Sequence, residues 1–193
     1  PVSTGFHTNF HSYSQHYGVG FLSRPIALYL RKFHNRAHAT LVPTEYLCRE
    51  LAIQGFENLR VVSRGVDTRL FSPARRDAQL RRDWGATDGA AVALYVGRLA
   101  PEKNLKVVVD AFAGMRTRVP LARLVMVGDG PERAALAASH PEIVFAGTRT
   151  GEDLAAHYAS ADIFLFSSLT ETFGNVTLEA MVSGLAVVAY DYA

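Results

Sequence analysis

The chain has 193 residues, 49% of them apolar, enough to form a buried core in one domain or two small ones. Lys and Arg number 20 against 18 Asp and Glu, a formal net charge of +2, so no strong field indicates a nucleic acid partner. No apolar run approaches the roughly 18 residues of a membrane span, and the lone Cys48 excludes an internal disulfide and is typical of a reducing cytoplasm.

The first 70 residues alternate strand-like and helix-like patterns. Strands are predicted at an apolar opening that ends at Phe6 and over residues 40–42 and 59–62, with a basic amphipathic helix over 24–38 and a second helix over 44–54. The turn-like stretch "RGVDTRLFSP" follows, and we place a junction near Phe71, which gives domains 1–70 and 71–193. A cluster of charged residues beyond it predicts a solvated helix face: Arg75, Arg76, Asp77, Arg81, Arg82 and Asp83.

Short apolar runs alternate with longer helical patterns from Ala91 onward. The strands are predicted at residues 92–96, 124–127, 143–145, 163–166 and 186–189, and the helices at 104–118, 131–139, 151–160 and 174–182. Strands that are apolar on both faces and separated by helices indicate a parallel sheet covered on both sides, so the fold class is α/β and doubly wound. In "TGEDLAAHY", Thr150 and Asp153 predict a capping box.

The loops after these strands contain the candidate ligand-binding residues, because open parallel sheets bind ligands at the carboxyl ends of their strands. Arg98 and Lys103 follow the first strand of the second domain, and the helix that begins near Gly174 offers unpaired N–H groups. Together these groups suit a diphosphate. "GDGPER" lacks the third glycine of a dinucleotide fingerprint, and the sequence contains no G-x-x-x-x-G-K-[ST] phosphate loop.

Two glutamates accompany the same helix: Glu171 just before it and Glu179 on its second turn. The helix dipole stabilises a carboxylate at the N-terminus, which would explain Glu171 alone. Glu179 has Asn175 four residues before it and Ser183 four after it, so no i,i+4 ion pair accounts for it. Because carboxylates accept hydrogen bonds from hydroxyl groups, a ribose or a sugar ring is a chemically apt partner for each glutamate.

Four stretches in the same order, "TGFHTNFHSY", "GRLAPEKN", "LVMVGDGPE" and "ETFGNVTLEAMVSGLAVVA", resemble the retaining nucleotide-sugar glycosyltransferases of GT-B fold, a family that includes bacterial lipid mannosyltransferases and sucrose-type synthases. The resemblance implies two Rossmann-like domains, with residues 1–70 as the carboxyl-terminal part of the acceptor-side domain and residues 71–193 as the nucleotide-sugar-binding domain without its last elements. The lack of an initiator Met favours the same interpretation, a piece of a longer chain, which we expect to be inactive alone.

The resemblance also assigns roles to individual residues. Glu171 would hydrogen-bond the transferred sugar and Glu179 the ribose, Arg98 and Lys103 would neutralise the departing diphosphate, and His7 matches a catalytic-site histidine. The other matched residues would line the donor site: Gly97, Gly147, Arg149, Phe173, Gly174 and Asn175. The acceptor would attack from the side that the diphosphate leaves, with retention at the anomeric carbon.

No metal or cofactor is expected. His7 and His11 are four residues apart without an H-E-x-x-H pattern, and the D-x-D signature of metal-dependent glycosyltransferases is absent from the sequence. The family instead relies on Arg, Lys and a helix dipole.

The donor and the acceptor are less closely defined. "FHTNFHSYSQHYG" most resembles bacterial GDP-mannose-dependent α-mannosyltransferases, which favours GDP-mannose and a lipid or glycan acceptor, with UDP-glucose enzymes and sulfoquinovose lipid synthases as alternatives. A GT-B nucleotide-sugar epimerase and a noncatalytic nucleotide-sugar-binding module also stay open. The basic helix with Arg24, Arg31, Lys32 and Arg36 indicates either contact with the inner face of an anionic membrane or an ordinary solvated helix.

Overall fold

The computed structural model describes residues 1–6, 23–87, 89–168, 171 and 173–190. The chain divides into two compact units. Unit 1 comprises Pro1–Gly65, Thr170–Gly174 and Asp191–Ala193, and unit 2 comprises Val66–Leu169 and Asn175–Tyr190. The domain bounds 1–70 and 71–193 stay a prediction.

Unit 1 contains a parallel sheet in the order β1-β2-β3, formed by β1 (Ser3–Gly5), β2 (Ala39–Val42) and β3 (Leu59–Val61). Helix α1 (Ser23–His34) precedes β2, and helix α2 (Glu45–Ile53) lies between β2 and β3 in the chain. The core of this unit is made of apolar side chains from these elements and from the residues that follow them: Phe6, Val42, Leu47, Leu51 and Phe56.

Unit 2 contains a parallel sheet in the order β6-β5-β4-β7-β8. Its strands are β4 (Val92–Val96), β5 (Arg123–Val127), β6 (Val144–Gly147), β7 (Ile163–Phe166) and β8 (Ala186–Ala189). Its helices are α3 (Ala78–Asp83), α4 (Leu105–Arg118), α5 (Arg133–Ser139), α6 (Gly151–Ser160) and α7 (Asn175–Val182), with short 3₁₀ turns at Pro73–Arg75 and Pro101–Lys103. The strands and helices predicted after Ala91 are confirmed to within about two residues at each end.

The central strand β4 is buried along its whole length. Leu94 and its alternate neighbours pack into one apolar cluster, while Ala93 and Tyr95 pack into a second, as the pleat of a strand requires. Both faces of the sheet are therefore covered, which explains why the strand sequence "VALYV" has no polar face.

The strand order reverses beside β4. The chain runs outward from β4 to β5 and β6 on one side, and then returns to β7 and β8 on the other. In open α/β sheets such a reversal leaves a crevice at the carboxyl ends of the two diverging strands, and ligands bind there. The segments that leave β4 and β7, starting at Gly97 and Ser167, are the ones that border this switch point.

The solvated arginine face predicted from the sequence is wrong for Arg81, whose side chain is only 15% exposed, whereas Arg76 is exposed as predicted. Nη1 of Arg81 donates to the Ser160 carbonyl at 2.7 Å and to Asp162 at 3.1 Å, and its Nη2 donates to the Ala90 carbonyl at 2.7 Å. Arg76 donates to the other oxygen of Asp162 at 2.8 Å. Both arginines therefore hold distant parts of the chain together. A helical pattern in the sequence cannot reveal such partners.

Asp162 joins the amino ends of the two central strands. It directly precedes β7, and its carboxylate accepts a hydrogen bond from the N–H of Val92, the first residue of β4, at 2.8 Å. Burial alone would raise the pKa of Asp162, but the hydrogen bonds from Arg76, Val92 and Arg81 outweigh burial, so the pKa lies below its ordinary value.

We predict that Asp162→Asn lowers the free energy of unfolding by about 1–3 kcal/mol, because two guanidinium groups lose their anionic acceptor. The contribution of Asp162 is present above its ordinary pKa of 3.8 and is lost as the pH falls through the lower folded-state value, since the unfolded state then binds the proton more readily. Chemical denaturation over an acidic pH series should show this dependence in the parent chain and lack it in the variant.

Asp110→Asn is the matched control, because Asp110 pairs with Lys106 on the exposed surface of α4. We expect a change within about 0.5 kcal/mol for this variant. Equal losses for the two substitutions would contradict the role given to Asp162.

Candidate functional site

The segment that follows β4 presents the first candidate cation. The N–H of Gly97 donates to the Val127 carbonyl at 3.0 Å, and the Tyr95 phenol donates to the Arg98 carbonyl at 3.0 Å. The Arg98 guanidinium, with 56% of its side chain exposed, lies 3.7 Å from the buried carboxylate of Glu102. The backbone of this turn is thus fixed, while the Arg98 side chain faces solvent.

Lys103 and the end of β7 are joined by side-chain hydrogen bonds. Lys103 Nζ donates to Ser168 Oγ at 3.3 Å, and Ser167 Oγ lies 2.8 Å from the Lys103 carbonyl and 2.9 Å from that of Asn104. Both serines are buried. Asn104 adopts a left-handed conformation with φ of 51°, which turns the chain into α4. The predicted phosphate-binding lysine therefore lies at the switch point of the sheet.

The loops after β4, β5 and β6 are in direct backbone contact. The Gly128 N–H donates to the Gly147 carbonyl at 2.8 Å, and the Leu99 N–H donates to the Asp129 carbonyl at 2.9 Å. A Cβ atom at Gly128, where φ is +134°, would lie 2.0 Å from the carbonyl oxygen of Gly97. The glycines in "GDG" are therefore required for the close approach of two loops.

Glu179 is held by a residue of the preceding helix. The hydroxyl of Tyr158, on α6, donates to Oε2 of Glu179, on α7, at 2.9 Å. The Glu179 side chain is half-buried, and burial raises the pKa of its carboxyl group while the hydrogen bond from Tyr158 opposes that rise. The pKa of Tyr158 is also raised, first by burial and then by the charge of Glu179.

A buried polar atom lies in the first turn of α7. Asn175 is the first residue of the helix, and its buried Oδ1 accepts no hydrogen bond from the part of the chain that the structure describes. The residues just before it, Glu171, Phe173 and Gly174, group with unit 1. Glu171 is half-buried, and Gly174 has a φ of 73° that favours glycine.

Arg149 is engaged within its own loop. Its Nε donates to the Ala146 carbonyl at 2.9 Å and its Nη1 to Asp153 at 3.0 Å. The capping box predicted for Thr150 is wrong, since the Thr150 side chain caps no N–H group. The Asp153 carboxylate, which would have completed that box, is bound by Arg149 instead. Gly147, at the end of β6, has a φ of 75° and open space around its α-carbon.

The predictions for the two histidines, for a metal site and for a membrane span fare differently. His7 and His11 lie outside the described residues. Within the described ranges, no three His, Cys, Asp or Glu side chains come together as a metal site would require, and no helix combines the length and apolarity needed to cross a bilayer.

Four side chains at this end of the sheet were not identified from the sequence as site residues: Tyr158, Ser167, Ser168 and Glu102. Tyr158 follows Leu154 at helical spacing, which predicts only that the ring is in the core. The serines are neighbours in "SSLTE", but a hydroxyl that binds a loop far away in the chain gives no periodic signal. One signal for Tyr158 was available, namely a phenol on an otherwise apolar helix face, since buried tyrosines usually need a hydrogen-bond partner.

The chain is similar to known glycosyltransferases. The family model described as "Glycosyl transferases group 1" matches residues 90–193, and that of "Glycosyltransferase Family 4" matches residues 1–70. The GDP-mannose-dependent alpha-mannosyltransferase of Mycobacterium tuberculosis (strain CDC 1551 / Oshkosh) is 39% identical over 191 residues, which cover 99% of this chain and 49% of that protein. Sulfoquinovosyl transferase SQD2 of Arabidopsis thaliana is 34% identical, with coverage of 98% and 38%.

The fold also matches a solved structure. The crystal structure of Anabaena Alr3699/HepE in complex with UDP-glucose superposes with a TM-score of 0.81 at 23% identity, over 100% of this chain and 54% of that one. At this identity the likeness concerns the fold, and it confirms the predicted α/β, GT-B type architecture with Rossmann-like parallel sheets. The chain spans about half the length of the curated relatives it matches.

The contact between the loops after β4 and β5 yields a prediction. Gly128→Ala should lower the free energy of unfolding by about 2–5 kcal/mol, because a methyl group would overlap the Gly97 carbonyl and the backbone conformation is unfavourable for alanine. Gly114→Ala, in the middle of α4 with open space around it, should instead raise it by about 0.5–1 kcal/mol. Chemical denaturation measures both, and a stable Gly128→Ala variant would contradict the close approach.

Proposed function

Because the chain belongs to the group 1 glycosyltransferases, we propose that the protein transfers a glycosyl group from a nucleotide-diphosphate sugar to an acceptor hydroxyl, with retention at the anomeric carbon. One structural observation carries this proposal: Arg98 and Lys103 follow β4, and α7 with Glu179 follows β7, the two strands at which the order of the sheet reverses. That is where doubly wound sheets bind nucleotides.

Each residue has a proposed part in the reaction. Arg98 and Lys103 bind the diphosphate and stabilise the charge that develops on it as the glycosyl bond breaks. Glu179 accepts hydrogen bonds from the ribose hydroxyls, and Glu171 accepts them from the transferred sugar. The amide groups at Phe173, Gly174 and Asn175 contact the sugar and phosphate, and Oδ1 of Asn175, which has no hydrogen-bond partner among the described residues, is suited to a ligand hydroxyl.

The remaining matched residues complete the donor site in this proposal. Gly97 and Gly147 allow the donor to approach the backbone, and Arg149 lines the nucleotide base. His7 acts at the catalytic centre. The hydrogen bonds from Arg149 to Asp153 and Ala146 keep its guanidinium near the end of β6, which is compatible with that position.

GDP-mannose is the proposed donor. Support comes from the mycobacterial relative, which is named for GDP-mannose and is 39% identical to the chain. UDP-glucose is the alternative, although the Anabaena protein that binds it is only 23% identical. A GT-B epimerase or a noncatalytic binding module would use the same donor site, and analysis of products separates these functions from transfer.

We predict that the chain binds GDP at least about tenfold more tightly than UDP in calorimetric titrations. Equal, millimolar-weak binding of GDP, UDP and their sugars would contradict the proposed donor. In the intact protein, Glu171→Ala should reduce transfer roughly 10²–10³-fold with a much smaller effect on GDP affinity, because Glu171 contacts the sugar and not the nucleotide.

Glu152→Ala provides the control for that substitution, since Glu152 is exposed and pairs with Arg75 on the surface of unit 2. This variant should retain transfer. Unchanged turnover in Glu171→Ala would remove the role proposed for Glu171.

Helix α1 supports a lipid acceptor and a cytoplasmic protein that contacts the inner face of a membrane. The helix contains no acidic residue, and Leu28, Tyr29 and Phe33 are 56%, 70% and 52% exposed. Large apolar side chains exposed beside cations are typical of helices that lie on an anionic bilayer. The cations are Arg24, Arg31, Lys32 and Arg36, of which Arg31 also donates to the Gln54 carbonyl.

We predict that Lys32→Gln together with Arg36→Gln weakens binding to phosphatidylserine-containing vesicles by roughly tenfold or more, since each cation near such a surface contributes about 1 kcal/mol. Vesicle co-sedimentation at fixed salt measures this. The control is Arg116→Gln with Arg118→Gln, an equal charge change on exposed positions of α4. Equal effects of both pairs, or no binding by the parent chain, would contradict the membrane proposal.

A further inference from the structure

Tyr158 combines a buried ring with a polar group that needs a partner. The residue is 0% exposed, and its ring packs edge-on against Phe71, with the ring centroids 5.6 Å apart, and at a tilt against Phe164, with the centroids 5.8 Å apart. Packing therefore accounts for an aromatic ring at this position. It does not account for the hydroxyl group, because phenylalanine would fill the same space without the cost of removing a hydroxyl from water.

The hydroxyl is used by one specific carboxylate. Tyr158 is the one hydrogen-bond donor that the described residues provide to the Glu179 carboxylate, and it binds Oε2 at 2.9 Å. Burial of a phenol and a half-buried carboxylate as a pair is not favourable for folding in general, since an apolar pair of the same shape is often as stable or more so. The pair is therefore better explained by what the carboxylate does than by stability.

We propose that Tyr158 is a positioning residue for nucleotide binding: its phenol fixes one oxygen of the Glu179 carboxylate, so that the carboxylate can accept hydrogen bonds from the vicinal hydroxyl groups of a bound ribose. A carboxylate offers about four acceptor positions, and the phenol occupies one of them. The inference rests on the proposed function, because it assigns the ribose to Glu179.

Among the described residues, Tyr158 is the titratable group in hydrogen-bond contact with the Glu179 carboxylate. Helix α7 packs on α6, β7 and β8, and neither strand carries a titratable side chain. On α6, Glu152 pairs with Arg75, and Asp153 with Arg149 and His157. The hydrogen bond from Tyr158 opposes the rise in the pKa of Glu179 that burial causes, so it also favours the ionised carboxylate, which can only accept hydrogen bonds.

The test compares two ligands on each variant by calorimetry: GDP, and 2′,3′-dideoxy-GDP, which lacks the vicinal hydroxyls. The parent chain should prefer GDP by about tenfold or more, the usual effect of hydrogen bonds to a charged group. In Tyr158→Phe that preference should fall about threefold or more, while affinity for the dideoxy ligand changes little. Because both ligands are measured on the same protein, a general loss of stability cancels in the ratio.

A double-mutant cycle gives the second readout. In a Glu179→Gln background, Tyr158→Phe should no longer change the ligand preference, because the residue acts through Glu179. The preference of Tyr158→Phe should also be lost at a higher pH than that of the parent, since removal of the phenol raises the pKa of Glu179 further. If Tyr158→Phe does not fold, 3-fluorotyrosine at position 158 keeps ring and hydroxyl and should shift the same pH dependence downward, because its hydroxyl is a stronger donor.

The outcomes separate the two proposals. A parent chain that binds neither GDP nor UDP, or that shows no preference for the ribose hydroxyls, would overturn the donor site and with it the role of Tyr158. A parent chain with that preference, undiminished in Tyr158→Phe, would overturn the role of Tyr158 alone.

Discussion

Two serine side chains just after β7 hold the loop that contains Arg98 and Lys103, the candidate phosphate-binding residues. Ser167 reaches the carbonyls of Lys103 and Asn104, and Ser168 accepts from the Lys103 ammonium group. The position of Lys103 therefore depends on β7 as much as on β4, the strand from which its own loop leaves. Because both serines are buried, these hydrogen bonds are protected from competition with water and contribute more than exposed ones would.

The need for such bonds follows from how β4 and β7 pair. Between β4 and β7, Ala93 pairs with Ile163 and Leu94 pairs with Phe164. By contrast, β4 pairs with β5 along all of Val92–Val96. A short pairing leaves the strands free to separate toward their carboxyl ends, where the crevice lies. Asp162 joins the strands at their amino ends, and the serine bonds join the loops beyond their carboxyl ends. The switch point is thus open to a ligand and yet fixed on both sides.

The sequence predicted what depends on local pattern and missed what depends on contacts between distant residues. Composition predicts strands at "VALYV" and "IFLF", and the structure confirms the bounds of both; "VALYV" is buried along its whole length, whereas in "IFLF" only Phe164 is fully buried. Thr150 and Asp153 have the spacing of a capping box, but the Asp153 carboxylate binds the Arg149 guanidinium instead. A hydrogen bond between two charged groups is stronger than one to a backbone N–H group. The partners of Arg76 and Arg81 lie some 80 residues away, beyond the reach of helical periodicity.

The Tyr158–Glu179 pair shows why a sequence can indicate the kind of ligand before it indicates which one. GDP-sugars and UDP-sugars both carry a ribose, so the proposed acceptor for its hydroxyl groups can be built into a rigid part of the fold. Here that part is the packing of α6 against α7, with the Tyr158 ring fixed by Phe71 and Phe164. A preorganised acceptor loses little conformational entropy when the ligand binds. If Glu179 binds ribose as proposed, the strength of that contact is set inside unit 2, whichever sugar the donor carries.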